Sequence, residues 1–169
     1  MVLPSDSLSS PRNIRFIYQF MLHSVNITTP FDSPAFQYML NHPEDFEVYF
    51  EKDQIATRLV RVLYATAYEA VEAKDEARLD EVMELMRPYD TGQDYIFKEM
   101  DGRATGLLRV PNMEWGLKMM YHEKMGEVEK YKAAEKIYTE KIWDNAKGLD
   151  EVAWRRAKQP NDMEKLELA

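Results

Sequence analysis

Apolar residues recur at helical spacing in two long stretches of the chain, 53–87 and 112–145. In the first, Ile55, Leu59, Val62, Leu63, Thr66, Ala70 and Val71 fall on one stripe of an α-helix, and Ala56, Val60, Tyr64 and Ala67 form a second stripe beside it. Two stripes predict burial on two sides, the requirement for an inner helix of a stacked array. A surface helix carries only one. Asp53 is the expected cap, and Lys74-Asp75 provides a turn. Leu79, Val82, Met83 and Met86 line a returning helix until Pro88, with no N–H to donate, stops it. In the second stretch Asn112 is the expected cap and Met113, Gly116, Leu117, Met120 and Tyr121 line the first helix. Gly126 turns the chain, and Val128, Tyr131, Ala134, Tyr138 and Ile142 line the second helix.

Each stretch is therefore a helix–turn–helix of about 35 residues, a length at which such units bury their apolar face only by stacking on a neighbour. Shifting the first by 52 residues places Leu79 on Tyr131, Val82 on Ala134 and Leu85 on Ile137. That shift is about one and a half unit lengths, so 88–111 is expected to hold a degenerate or truncated unit. Within it the pattern predicts a short helix over Tyr95–Met100 and a flexible loop, Asp101-Gly102-Arg103-Ala104-Thr105-Gly106.

The flanks are helical as well. Ile14, Phe16, Ile17, Phe20 and Met21 predict a helix from Arg12 to Ser24, broken by Asn26–Pro30. Ser33-Pro34 pairs a capping hydroxyl with proline at the first helical position, predicting a short helix through Leu40. Pro43 starts another, with Phe46, Tyr49 and Phe50 as its apolar residues. Leu149–Lys158 is a last amphipathic segment presenting Val152 and Trp154. The organisation expected is a mobile N-terminal arm over 1–11, one helical-repeat domain over 12–158 and a charged C-terminal tail over 159–169.

Charge narrows the function. Thirty acidic residues against 22 basic ones give a net charge of −8, which argues against nucleic acid, whose phosphates are met by a basic surface. A basic or mixed-charge protein surface is the natural partner. The absence of cysteine removes disulfides, thiolate metal sites and thiol nucleophiles together. No segment approaches the roughly 20 apolar residues of a membrane span; the longest candidate, Ile14–Ile27, is interrupted by Arg15, Gln19, His23, Ser24 and Asn26. With Asp6 ahead of that stretch, a secretory signal is not expected either.

Candidate chemistry is sparse. His23, His42 and His122 lack a second histidine four residues away and none ends a Glu-x-x-His pair, so helical metal-ligand spacing is missing. Gly102–Gly106 lacks the Gly-Lys-Ser/Thr ending of a phosphate loop. The Glu44/Asp45 and Asp75/Glu76 pairs sit at expected helix starts, where they complement the helix dipole. Lys132/Glu135 and Lys136/Glu140 suit a solvated helix face. An enzyme built on His122, Glu123 and nearby tyrosines is the remaining catalytic reading, and no cofactor is expected. Glu69, Glu72, Asp80, Glu81 and Glu84 form an acidic surface on the first hairpin that can dock a basic partner. Because aromatics are enriched among interface anchors, the candidate interface residues are Tyr64, Tyr68, Glu72, Tyr89, Trp115, Trp143 and Trp154.

The run Met125-Gly126-Glu127-Val128-Glu129-Lys130-Tyr131-Lys132-Ala133-Ala134-Glu135-Lys136-Ile137-Tyr138 resembles the turn and second helix of a pentatricopeptide (PPR) repeat. Lys74-Asp75-Glu76-Ala77-Arg78-Leu79 through Leu85-Met86 looks similar. The resemblance implies an all-α fold, a short right-handed solenoid of PPR/TPR-like helical hairpins with about seven helices. Most PPR proteins bind single-stranded RNA in a basic groove through many more repeats, so a small PPR-type RNA-binding or mitoribosomal protein is one implied role. A short, acidic PPR-like chain is also similar to the PPR-like subunits on the catalytic (F1) head of the mitochondrial ATP synthase of kinetoplastids and other euglenozoans. That likeness implies a non-catalytic subunit in the mitochondrial matrix, bound to other protein subunits and to the ATP synthase alpha subunit in particular.

Overall fold

A computed structural model describes residues 8–21, 30–91, 95–98, 104–142, 149–150 and 152–154. The chain is mostly helical and divides into two compact units, Met1–Met113 and Glu114–Ala169, each taken by itself below.

The first unit opens with α1 (Pro11–Phe16), capped by the Ser10 side chain accepting from the Asn13 N–H, and runs on into a π-turn, Ile17–Met21. Leu8 is buried, next to the Ser10 cap. Residues 1–7, residues 22–24 of the expected first helix and the tail 159–169 lie outside the described residues. Next come α2 (Pro34–Asn41) and α3 (Pro43–Glu47). The Ser33 hydroxyl accepts from the Phe36 N–H at 3.3 Å with Pro34 in the first turn, as the Ser-Pro pair predicts. Glu44 and Asp45 occupy the first turn of α3.

The centre of the unit is α4 (Lys52–Ala73). Both stripes find cover: Leu59, Val62 and Leu63 are buried from the first, Val60 and Ala67 from the second. The β-branched Ile55, Val60, Val62 and Val71 each cost a few tenths of a kcal/mol in helix propensity. Full burial of such a side chain contributes about 1.5–3 kcal/mol, so packing decides the conformation. α4 lies against α2, α3 and α5 (Glu76–Met86). Its expected cap moves: Glu51 takes the N-cap position without a side-chain bond, and Asp53 falls in the first turn. The turn into α5 follows expectation. Lys74 adopts a left-handed φ of 60°, its N–H reaches the Val71 carbonyl at 3.2 Å, and the Asp75 N–H reaches that of Ala70 at 2.9 Å. The Asp75 carboxylate then caps α5 by accepting from the Arg78 N–H at 3.0 Å.

Residues 88–111 depart from the expected pattern. After a 3-10 turn, Arg87–Tyr89, strands β1 (Tyr95–Lys98) and β2 (Ala104–Leu108) pair antiparallel, with Tyr95 opposite Leu108 and Phe97 opposite Gly106, and the register slips between Phe97 and Lys98. The expected helix Tyr95–Met100 is a strand over its described part, and Ala104–Gly106 of the expected loop lies in β2. Tyr95, Ile96 and Phe97 are β-favouring residues, and an Asp-Gly dipeptide between two apolar runs is a hairpin signal. Tyr95 packs its buried ring where β1 meets α4, and its hydroxyl donates to the Tyr89 carbonyl at 2.8 Å.

The chain enters α6 (Val110–Met125), whose first turn contains the division between the units. It then forms α7 (Val128–Lys141). α6 starts before the expected cap, leaving Asn112 buried inside its first turn. In the second unit α6 and α7 meet through Met119, Tyr131 and Ala134, with Trp115 and Tyr138 packed against them. Gly126, at φ +72°, donates to the Glu123 carbonyl at 3.1 Å, and Glu127 donates to that of His122 at 2.9 Å. This is the bonding of the Lys74-Asp75 turn, 52 residues on. Residues 149–150 and 152–154 are helical, inside the expected last segment.

Candidate protein-binding surface

Covering α4 on two sides leaves one edge open. Tyr64, Tyr68 and Glu72, spaced four apart, line that edge; Tyr64 is half-buried, Tyr68 has 43% of its surface exposed and Glu72 is exposed. Glu69 lies beside Tyr68, and the outer side of α5 continues the same sign with exposed Glu76, Asp80, Glu81 and Glu84. Two arginines temper this charge. Arg78 pairs with Glu81 at 2.7 Å and Asp32 at 3.2 Å while stacking on Phe31, and Arg87 pairs with Glu84 at 2.8 Å. Among the described residues Glu69, Glu76 and Asp80 form no ion pair. The result is an acidic face with one exposed aromatic ring, the composition of a docking patch for a cationic surface.

The other candidate interface residues separate by environment. Tyr89 sits on the 3-10 turn half-buried, its carbonyl accepting from Tyr95, and burial raises its phenol above the ordinary value. Trp115 is part of the second unit's packing, with the Lys118 ammonium 4.8 Å from its ring and Lys118 paired to Glu114 at 2.8 Å. Trp154 is an exposed ring of that unit, 61% accessible. Trp143 lies outside the described residues. Among the described residues, Tyr64, Tyr68 and Glu72 share one edge of α4 through their four-residue spacing.

The catalytic reading gains little from the geometry. His122 Nδ1 lies 2.8 Å from Glu127 Oε2, and the other oxygen of that carboxylate, Oε1, accepts from Lys130 at 2.9 Å. Those bonds, Lys130 first and His122 second, lower the Glu127 carboxyl from its usual value. The trio ties the end of α6 to the start of α7 across the Gly126 turn, a structural task. His42 lies 3.5 Å from Glu44, both well exposed, and His23 is outside the described residues. Among the described residues no group of three or more His, Asp or Glu is placed to hold a metal ion, and no helix is long and apolar enough to cross a membrane.

Two features escape sequence reasoning. Glu135, expected on a solvated face, is buried (6% exposed) and accepts from the Tyr131 hydroxyl at 3.1 Å. Ion pairs at this helix include Lys132–Glu129 at 3.4 Å and Lys130–Glu127 at 2.9 Å. The second feature is a stack of arginines and aromatic rings joining α1 to α4, whose members are too far apart in sequence to show any periodicity. Comparison with protein-family models, curated proteins and solved structures yields no match.

Proposed function

We propose that the chain is a non-catalytic, protein-binding subunit of a larger assembly and that it docks a basic partner surface on the open edge of α4 and the outer side of α5. The observation that carries this reading is the run of carboxylates Glu69, Glu76 and Asp80, left without ion pairs beside the exposed Tyr68 ring. A protein surface can supply both the cations and the apolar contact that such a patch lacks. The acidic sign works against single-stranded RNA, which places the RNA-binding alternative second. The PPR-like character of the two hairpins supports a more specific form: a helical-repeat subunit in the mitochondrial matrix, attached to the alpha subunit on the catalytic head of the ATP synthase.

Crosslinking mass spectrometry in native extract tests both levels. Crosslinks from Lys74 to one partner, lost when Glu76, Asp80 and Glu84 are changed to lysine, support docking on this face. Crosslinks to the ATP synthase alpha subunit support the specific form. A chain that migrates alone and yields only intramolecular crosslinks overturns the proposal.

A further inference from the structure

Several aromatic rings of this chain are met by its own cations. The Arg15 guanidinium lies 4.9 Å from the centroid of Tyr49, Arg58 lies 3.8 Å from that of Tyr18, and Phe50 stacks on Tyr18 at 3.5 Å. Arg78 lies 4.1 Å from the centroid of Phe31, and the Lys118 ammonium 4.8 Å from that of Trp115. Tyr68 differs. Its ring is 43% exposed; among the described residues no cation lies over it and its hydroxyl has no hydrogen-bond partner. Phe16 and Trp154, the other exposed rings among the described residues, each have an interaction within the chain. Helical side chains lean toward the helix N-terminus, so Glu72, one turn on, leans back toward Tyr68, and Glu69 stands beside it. Both carboxylates are exposed, and Glu69 forms no ion pair among the described residues. The cations nearest in sequence, Arg61 and Lys74, stand seven and six residues from Tyr68, outside the spacing at which helical neighbours meet.

We infer that Tyr68 receives an arginine of the partner protein, its guanidinium lying on the ring and donating to Glu69, so that the α4 edge selects arginine over lysine. An open ring attracts positive charge to its face, and an adjacent carboxylate completes a receptor for a cation. The guanidinium fits this receptor better than an ammonium does. It is flat and weakly hydrated, so it stacks on the ring while its in-plane N–H donors stay free for a carboxylate. Lysine offers a compact, strongly hydrated charge that meets the ring and the carboxylate less well together. Glu72 deepens the negative field at the same edge, and Glu76 and Asp80 extend it along α5. The inference rests on the proposed docking of a basic partner at this face and names the side chain that anchors it.

The test is fluorescence anisotropy of the full chain with three labelled peptides: an Arg-Ser-Leu repeat, its lysine copy and its citrulline copy, which keeps the shape of arginine without the charge. At an ionic strength of about 0.05 M, where screening is weak, both cationic peptides bind more tightly than the citrulline copy. The arginine peptide binds about two- to fivefold more tightly than the lysine copy, the range of an exposed cation–ring contact. Tyr68→Leu abolishes that preference with an unchanged circular dichroism spectrum, since the ring is exposed, whereas Tyr68→Phe keeps it. Glu76→Lys/Asp80→Lys/Glu84→Lys weakens both cationic peptides alike and leaves their ratio unchanged. Equal affinity for the arginine and lysine peptides, or a preference that survives Tyr68→Leu, overturns the inference and leaves docking on the acidic face standing. Cationic peptides that bind no better than the citrulline copy overturn the docking proposal, and the inference with it.

Discussion

Gly126 offers a clean measurement of what the second hairpin's turn requires. Its φ of +72° is left-handed, and a Cβ built there meets nothing within 4 Å. Gly126→Ala therefore creates no clash, and its whole effect is conformational. The left-handed region costs an alanine about 1–2 kcal/mol, offset by about 0.4–1 kcal/mol because alanine restricts the unfolded chain more than glycine does. The expected net loss is about 1 kcal/mol, with about half of it recovered in Gly126→Asn, since asparagine tolerates this region better. Urea unfolding followed by circular dichroism reads it as a lower midpoint with an unchanged slope. Gly116→Ala is the internal contrast. Within a helix the substitution gains up to about 1 kcal/mol in propensity, while the new Cβ sits 3.3 Å from Cε2 of the half-buried Tyr138, which must yield by a few tenths of an ångström. A net gain of about 0.5 kcal/mol is expected. A midpoint for Gly126→Ala equal to or above wild type would refute the reasoning, because no steric or packing term remains to hide a conformational cost.

Other groups give further tests. The Glu127 carboxyl is held below its ordinary value of 4.5 by Lys130 and His122; its contribution is present above that value and lost as pH falls through the lower folded-state value. Glu127→Gln should flatten this part of the acid-unfolding profile. The Tyr38 phenol, packed beside Phe46 and bonded to Asp45, is pushed up to about 12 by burial and then by the Asp45 carboxylate. Its stabilising effect is therefore complete below 10.0 and declines toward pH 12, and ultraviolet titration of tyrosinate should lose its latest-ionising component in Tyr38→Phe. Glu135→Ala strips the buried Tyr131 hydroxyl of a partner and should cost about 1–3 kcal/mol in urea unfolding, whereas Glu135→Met with Tyr131→Phe should recover most of that loss.

Much of the helical scaffold was legible because its signals are local and repeated. The two stripes of α4 specify burial on two sides, and Val60 and Ala67 are as buried as Leu59 and Leu63. Ser33 makes the expected cap, and Asp75, expected in a turn at a helix start, caps α5 through its carboxylate. Both hairpin turns, Lys74-Asp75 and Gly126-Glu127, close with the same pair of backbone bonds, a common way to end a helix. The β-hairpin was misread because Tyr95–Met100 is too short for periodicity to separate helix from strand. The informative feature was Asp101-Gly102, a turn signal that reads equally as part of a flexible loop. Glu135 was misread for a different reason. A charged residue on a helix predicts solvent on average, and only the meeting of α7 with its neighbours places this one inside.

The proposed docking surface was legible in part, and the way its charges are distributed explains why. Exposure of Tyr68 and Glu72 follows from the stripes, since whatever they omit must face outward. Nothing in the fold demands that the open edge be acidic. Glu76/Asp80 and Asp80/Glu84 are like charges one turn apart, and Glu69/Glu72 and Glu81/Glu84 lie three apart; each such pair is unfavourable by about 0.2–0.5 kcal/mol. Arg78 and Arg87 offset part of this. Interspersed lysines would instead have made favourable pairs at the same positions. The face is therefore arranged at the expense of local helix stability. A run of like charge that weakens the isolated chain is compensated when a partner of opposite sign arrives, which favours a docking role over a merely solvating one for this face.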